Sequence, residues 1–193
     1  MKGYRALRSF ILKDLSENLS PQLTYHGIHH TKDVMAVCRQ YIQRLGIKGK
    51  NAELLMIGAL VHDSGFLHTY KNHEEKGVEM AKVYLPGFGY NAREIEIISG
   101  LIMATKVPQT PKTDLERILC DADLDYLGRK DFDKISDSLF QELQNFDVLH
   151  DHNEWNKLQA RFLENHTFHT LFAQKNRQPK KELRVTEIKK KIL

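Results

Sequence analysis

The chain has 193 residues, 41% hydrophobic and 28% charged, the balance of an ordinary soluble globular protein with a substantial core. Its net charge of +4 suits an anionic ligand but is too small to argue for nucleic acid, which is not expected as a partner. No window approaches the ~18 consecutive apolar residues of a membrane span, and Met1 to Phe10 holds no long apolar run, so a cytoplasmic protein without membrane contact is expected.

Taken in order, Tyr4, Leu7, Ile11, Leu15 and Leu19 recur at spacings of three and four, an amphipathic helix ended by Pro21. After Tyr25-His26-Gly27-Ile28-His29-His30 a second stripe runs through His30, Val34, Val37, Cys38, Tyr41 and Leu45, closed by Gly46. His30 belongs to the stripe and faces the core, while His29 is rotated ~100° away. His26 shares that face if the helix has already begun there. Next comes the most apolar segment, Leu54 to Ala59, with Asn51 as its expected N-cap. A segment apolar all round is a buried helix. It leads into Leu60-Val61-His62-Asp63-Ser64-Gly65, so an imidazole and a carboxylate emerge side by side from the core. Gly65 is expected to stop the helix by taking positive φ.

A loop, 66–71, precedes a helix opening at Asn72-His73-Glu74-Glu75, with both glutamates in the first turn, where negative charge is favoured. Asn91 with Glu94 and Thr113 with Glu116 have capping-box spacing before two further helices. The second of these ends in Asp121-Ala122-Asp123-Leu124-Asp125. At ~100° per residue Asp123 and Asp125 flank its apolar face, and Asp121 points away from it. Phe132, Ile135, Leu139, Leu143 and Phe146 form a stripe, and Trp155, Leu158, Phe162, His166 and His169 another. The basic end, from Lys180, carries Leu183, Val185, Ile188 and Ile192, and reads as an amphipathic helix with solvated charges. Cys38 and Cys120 lie in apolar patterns without Cys-x-x-Cys spacing and are expected as buried free thiols. Period-two alternation persists nowhere. The expected fold is all-α: one domain over 1–193, a bundle of about eight helices, with a motif core at about 25–128 and a helical extension from 129.

Three groups of candidate ligands lie on core faces: His30, the His62-Asp63 pair, and Asp123 or Asp125. Imidazoles with carboxylates suit magnesium or a divalent first-row metal rather than a soft, thiolate-preferring one. A buried carboxylate is costly unless it is paired or bound to a metal.

In this order, His30, then His62-Asp63, then Asp123, the chain resembles the HD-domain superfamily of metal-dependent phosphohydrolases. The resemblance implies one divalent ion (manganese, magnesium, cobalt, nickel or iron) on His30, His62, Asp63 and Asp123, with Asp63 also serving as base. His150-Asp151, in a polar segment between stripes, is read as a surface loop. Tyr25-His26-x-x-x-His30 resembles the Tyr-His-Asn-x-x-His segment of cyclic-nucleotide phosphodiesterases, with Gly27 in place of Asn. That likeness implies a proton-donating role for His26. Asn72-His73-Glu74 resembles the place where two-metal members add a histidine. The helix around Leu101 to Lys106 brings no further histidine, so a second metal would be weak. His73 is then a residue for substrate, for outer support of the site or for that weak second ion. Lys71, Lys106, Arg129 and Arg177 are candidate phosphate partners, with Lys106 favoured because it ends a flanking helix. The expected substrate is a nucleotide or another small phosphate ester. The rival is a non-catalytic module that senses metal or nucleotide.

Overall fold

The structure, a computed structural model, describes residues 2–193. Among the described residues it contains ten α-helices, three short 3₁₀ turns and no strand. The helices are α1 (Lys2–Asn18), α2 (Ile28–Leu45), α3 (Gly49–Val61), α4 (His73–Tyr84), α5 (Ala92–Ala104), α6 (Asp114–Asp123), α7 (Phe132–Asn145), α8 (His152–Asn165), α9 (Leu171–Asn176) and α10 (Gln178–Lys189). The all-α expectation holds, with ten helices where about eight were expected. No helix among the described residues is long and apolar enough to cross a membrane.

The chain divides into two compact units, one made of the residues up to Ser20 with His26–Asp123, the other of Pro21–Tyr25 with Leu124–Leu193. In the first unit α3 is central and packs against α1, α2, α5 and α6. This explains its composition: the eight residues from Leu54 to Val61 are all buried, so no face of that stretch could be polar. A Cβ at Gly58 would lie 2.8 Å from Leu101 Cδ1, so glycine there lets α5 close onto α3. Both capping boxes form: Asn91 Oδ1 accepts from the Glu94 amide at 3.0 Å while the Asn91 amide donates to Glu94 Oε2 at 2.9 Å. Thr113 and Glu116 bond reciprocally at the start of α6. Asn51 is not a cap, since α3 begins two residues earlier at Gly49. Cys38 and Cys120 are buried free thiols.

The second unit packs Tyr25, Leu124, Tyr126, Phe132, Leu163 and Ile188 into its own core. His150 is exposed, and Asp151 caps α8 by accepting from the Glu154 amide at 2.8 Å, which fits the surface-loop reading of that dipeptide. Two expectations change. The stripe through Leu158 and His169 does not run on, because α8 ends at Asn165 and instead buries Trp155, Ala160 and Leu163. The basic end is not a row of solvated charges. Lys181 is fully buried, and its ammonium donates to the Leu163 carbonyl at 2.8 Å and to that of His166. A helix leaves its last carbonyls without partners, and here a lysine satisfies them. Leu183, expected on the packed face, is 63% exposed.

Candidate metal centre

Four of the expected site residues sit at the ends of three helices. His30 lies in the first turn of α2, and its amide donates to the Gly27 carbonyl at 2.9 Å. His62 keeps helical dihedrals as the residue capping α3, and Asp63 leaves the helix with φ −102° and ψ 8°. Asp123 is the last residue of α6. The C-terminal ends of α3 and α6 carry partial negative charge, which favours a cation between them.

The functional atoms converge. His30 Nε2 lies 2.9 Å from Asp123 Oδ1, 3.3 Å from His62 Nε2 and 3.4 Å from Asp63 Oδ2. His62 Nε2 lies 3.2 Å from Asp63 Oδ2 and 3.4 Å from Asp123 Oδ1. His30, His62 and Asp123 form a group whose ligand atoms are all within 4.8 Å of one another, and Asp63 joins it through both histidines.

A divalent ion fits this arrangement. His62 Nδ1 faces the Ala59 carbonyl at 3.0 Å, so the ring carries its proton there and turns the Nε2 lone pair toward the carboxylates. Asp63 Oδ2 is buried and makes no hydrogen bond of acceptable geometry. A lone pair facing buried carboxylate oxygens is unfavourable until a cation lies between them. Without a metal, the proton takes that place. Burial opposes charge on both partners, but Asp63 holds the His62 imidazole well above its ordinary pKa, and His62 holds the Asp63 carboxyl well below its own. For Asp123, burial is outweighed by hydrogen bonds from His30 and His62, which bring its pKa down to about 2.

The other site candidates divide. His26 does not share the helical face of His30, because α2 begins only at Ile28. It enters from the segment before the helix, with its ring 5.9 Å from that of His30 and 4.4 Å from that of Phe66. His73 opens α4, and its Nε2 lies 3.5 Å from Asp63 Oδ1 and 3.5 Å from Glu74 Oε1. Lys106 is held instead by Glu75 on α4. Asp125 lies beyond the end of α6, in a 3₁₀ turn to which helical projection does not apply, and it accepts from Arg177 at 2.7 and 3.2 Å. Arg129 is bound to Asp131 at 2.9 and 2.8 Å, so neither arginine is free for a phosphate. Asp121, expected to face away, is fully buried because α6 is covered by α2, α3 and α5 together.

Gly65 does not take positive φ. A Cβ there would lie 1.8 Å from the His73 carbonyl oxygen. The glycine exists so that the first turn of α4 can rest on the turn that follows Asp63. Two residues beside the site escaped the sequence reading. Phe66 lay in an apparent loop. Glu74 looked like a first-turn surface charge, but it is buried.

A family model for the HD domain matches residues 27–125. A solved structure described as a predicted HD superfamily hydrolase, from an uncultured Thermotogales bacterium, is similar with a TM-score of 0.60 at 22% identity. The likeness covers 96% of this chain and 89% of that one. No curated protein matches. The family match takes in just over half of the 193 residues, including all four converging side chains, and the chain belongs to the HD domain family.

Proposed function

We propose that this chain is a metal-dependent phosphohydrolase acting on a nucleotide or another small phosphate ester, with His30, His62, Asp63 and Asp123 holding one divalent ion. The observation that carries the reading is the buried Asp63 Oδ2, without a hydrogen bond, 3.2 Å from His62 Nε2, on a ring whose Nδ1 already faces the Ala59 carbonyl. When bound, such an ion acts as a Lewis acid toward phosphoryl oxygens and makes water a stronger nucleophile.

The chain's own residues supply the rest. Asp63 turns Oδ2 to the two histidines and Oδ1 toward His73, so one carboxylate can hold the ion and accept the proton of the attacking water. His26, in the same aromatic cluster as His30 and His73, donates a proton to the leaving oxygen. His73 steadies the substrate phosphate or supports Asp63. Lys106, tied to Glu75, lends positive charge at the margin rather than a direct contact. We place the protein in the cytoplasm.

The experiment is a phosphate-release screen of the full chain over nucleotides, cyclic nucleotides and simple esters, with manganese, magnesium, cobalt, nickel or iron. Release that needs both the metal and Asp63 supports the reading. A folded, metal-loaded chain that releases phosphate from none of them favours the sensory module.

A further inference from the structure

Phe66 has no part in the mechanism above, yet it touches two of its members. Its ring lies 4.4 Å from that of His26 at 27° and 3.8 Å from that of His73 at 19°, so both imidazoles stack on it. A ring stacked on a phenyl group is restrained in its plane while its edge stays available for polar contact. His73 uses that edge, with Nε2 3.5 Å from Asp63 Oδ1. The phenyl ring is itself fixed, being 7% exposed, with its amide donating to the Asp63 carbonyl at 3.1 Å. The close seat of α4 on Gly65 then brings His73 to it.

We propose that Phe66 is a positioning residue: its ring holds the His26 and His73 imidazoles, which come from separate segments, in fixed places beside Asp63. The proposal rests on the hydrolase reading for its catalytic consequence. Phe66 ligates nothing and moves no proton. It acts by keeping two imidazoles within reach of one phosphate, and misplacement by ~1 Å can cost about 10²-fold in rate.

The test uses the full, metal-loaded chain and the substitution Phe66→Leu, with Phe66→Met carrying the same comparison if the leucine variant does not fold. Metal content should stay at the wild-type level. On an ester with an alkyl leaving group kcat should fall about tenfold or more, with KM changed less than about threefold, since the loss is in transition-state geometry. Adding Phe66→Leu to His26→Ala should cost less than Phe66→Leu costs in the wild type, because the share that runs through His26 is already lost and only the share through His73 remains. Losses that multiply in full, or no loss from Phe66→Leu, would overturn the proposal. A second readout needs no turnover. In a crystal structure of the variant, His73 Nε2 should have left its place 3.5 Å from Asp63 Oδ1, while His30, His62, Asp63 and Asp123 keep theirs. Imidazoles unmoved in that structure overturn the positioning role even if the wild type hydrolyses nothing. Wild-type inactivity with displaced imidazoles would instead remove the hydrolase reading and leave the positioning intact.

Discussion

Replacing Gly65 with alanine is expected to damage stability and the site together. The added methyl would lie 1.8 Å from the His73 carbonyl oxygen, 2.7 Å from its carbon and 2.9 Å from the Gly77 nitrogen. All three are backbone atoms, so no side-chain rotation relieves the clash. An ordinary contact begins at 3.4 Å, and reaching it means moving α4 by roughly 1.6 Å. Overpacking of this kind costs about 3 kcal/mol. For a chain of this size that lowers Tm by about 6–12 °C. His73 moves with α4, so turnover should fall about 10²-fold. Gly77→Ala is the control. Its methyl would meet Ile102 Cγ2 at 3.4 Å and the His62 carbonyl at 3.6 Å, ordinary contacts. Inside a helix that change should be neutral or stabilising by up to ~1 kcal/mol. Urea melts and thermal melts of both variants make the comparison. A Gly65→Ala protein that melts within 2 °C of wild type (on the order of 1 kcal/mol or less) would refute the account of how α4 meets the site.

The remaining predictions follow from the same geometry. Asp123→Asn should empty the metal site, whereas Asp125→Asn should keep the metal and destabilise by about 2–3 kcal/mol in urea, because it takes the charge out of the partly buried pair with Arg177. Lys181→Met should cost about 1–3 kcal/mol by removing the buried donor to the carbonyls of Leu163 and His166, again read from urea melts. The metal-free chain should lose stability in two pH ranges. The raised His62 pKa means that its contribution is full below about 6.5 and is lost as pH rises through the folded value. The lowered Asp123 pKa means that its contribution is full above 3.8 and is lost as pH falls through about 2. Thermal melts with chelator against melts with metal check this, and the alkaline loss should vanish when metal replaces the proton.

The helices and the four converging residues were legible because each lies on or next to a long apolar stripe with regular spacing. The uninterrupted run from Leu54 to Val61 announced a central helix, and the residues at its end had to be buried. What stayed hidden depends on close approach between elements or on turns outside the helical period. Gly65 looked like a helix stop, and only the position of α4 shows that it is a seat. Asp125 appeared to share a helix with Asp123, but the helix ends between them and the second carboxylate goes to Arg177. Asp121 looked exposed on a helical wheel that assumed one covered face, whereas α6 is covered by three neighbours. Lys181 looked like one more charge in a basic tail, because nothing local marks a lysine that satisfies carbonyls 15 and 18 residues away.

The central claim is that His30, His62, Asp63 and Asp123 hold one divalent ion. Elemental analysis of the purified full chain beside Asp63→Ala, both confirmed folded by circular dichroism, tests it most directly. The account predicts about one ion per wild-type chain and close to none in the variant, with phosphate release lost in step. Unchanged metal in folded Asp63→Ala would contradict it.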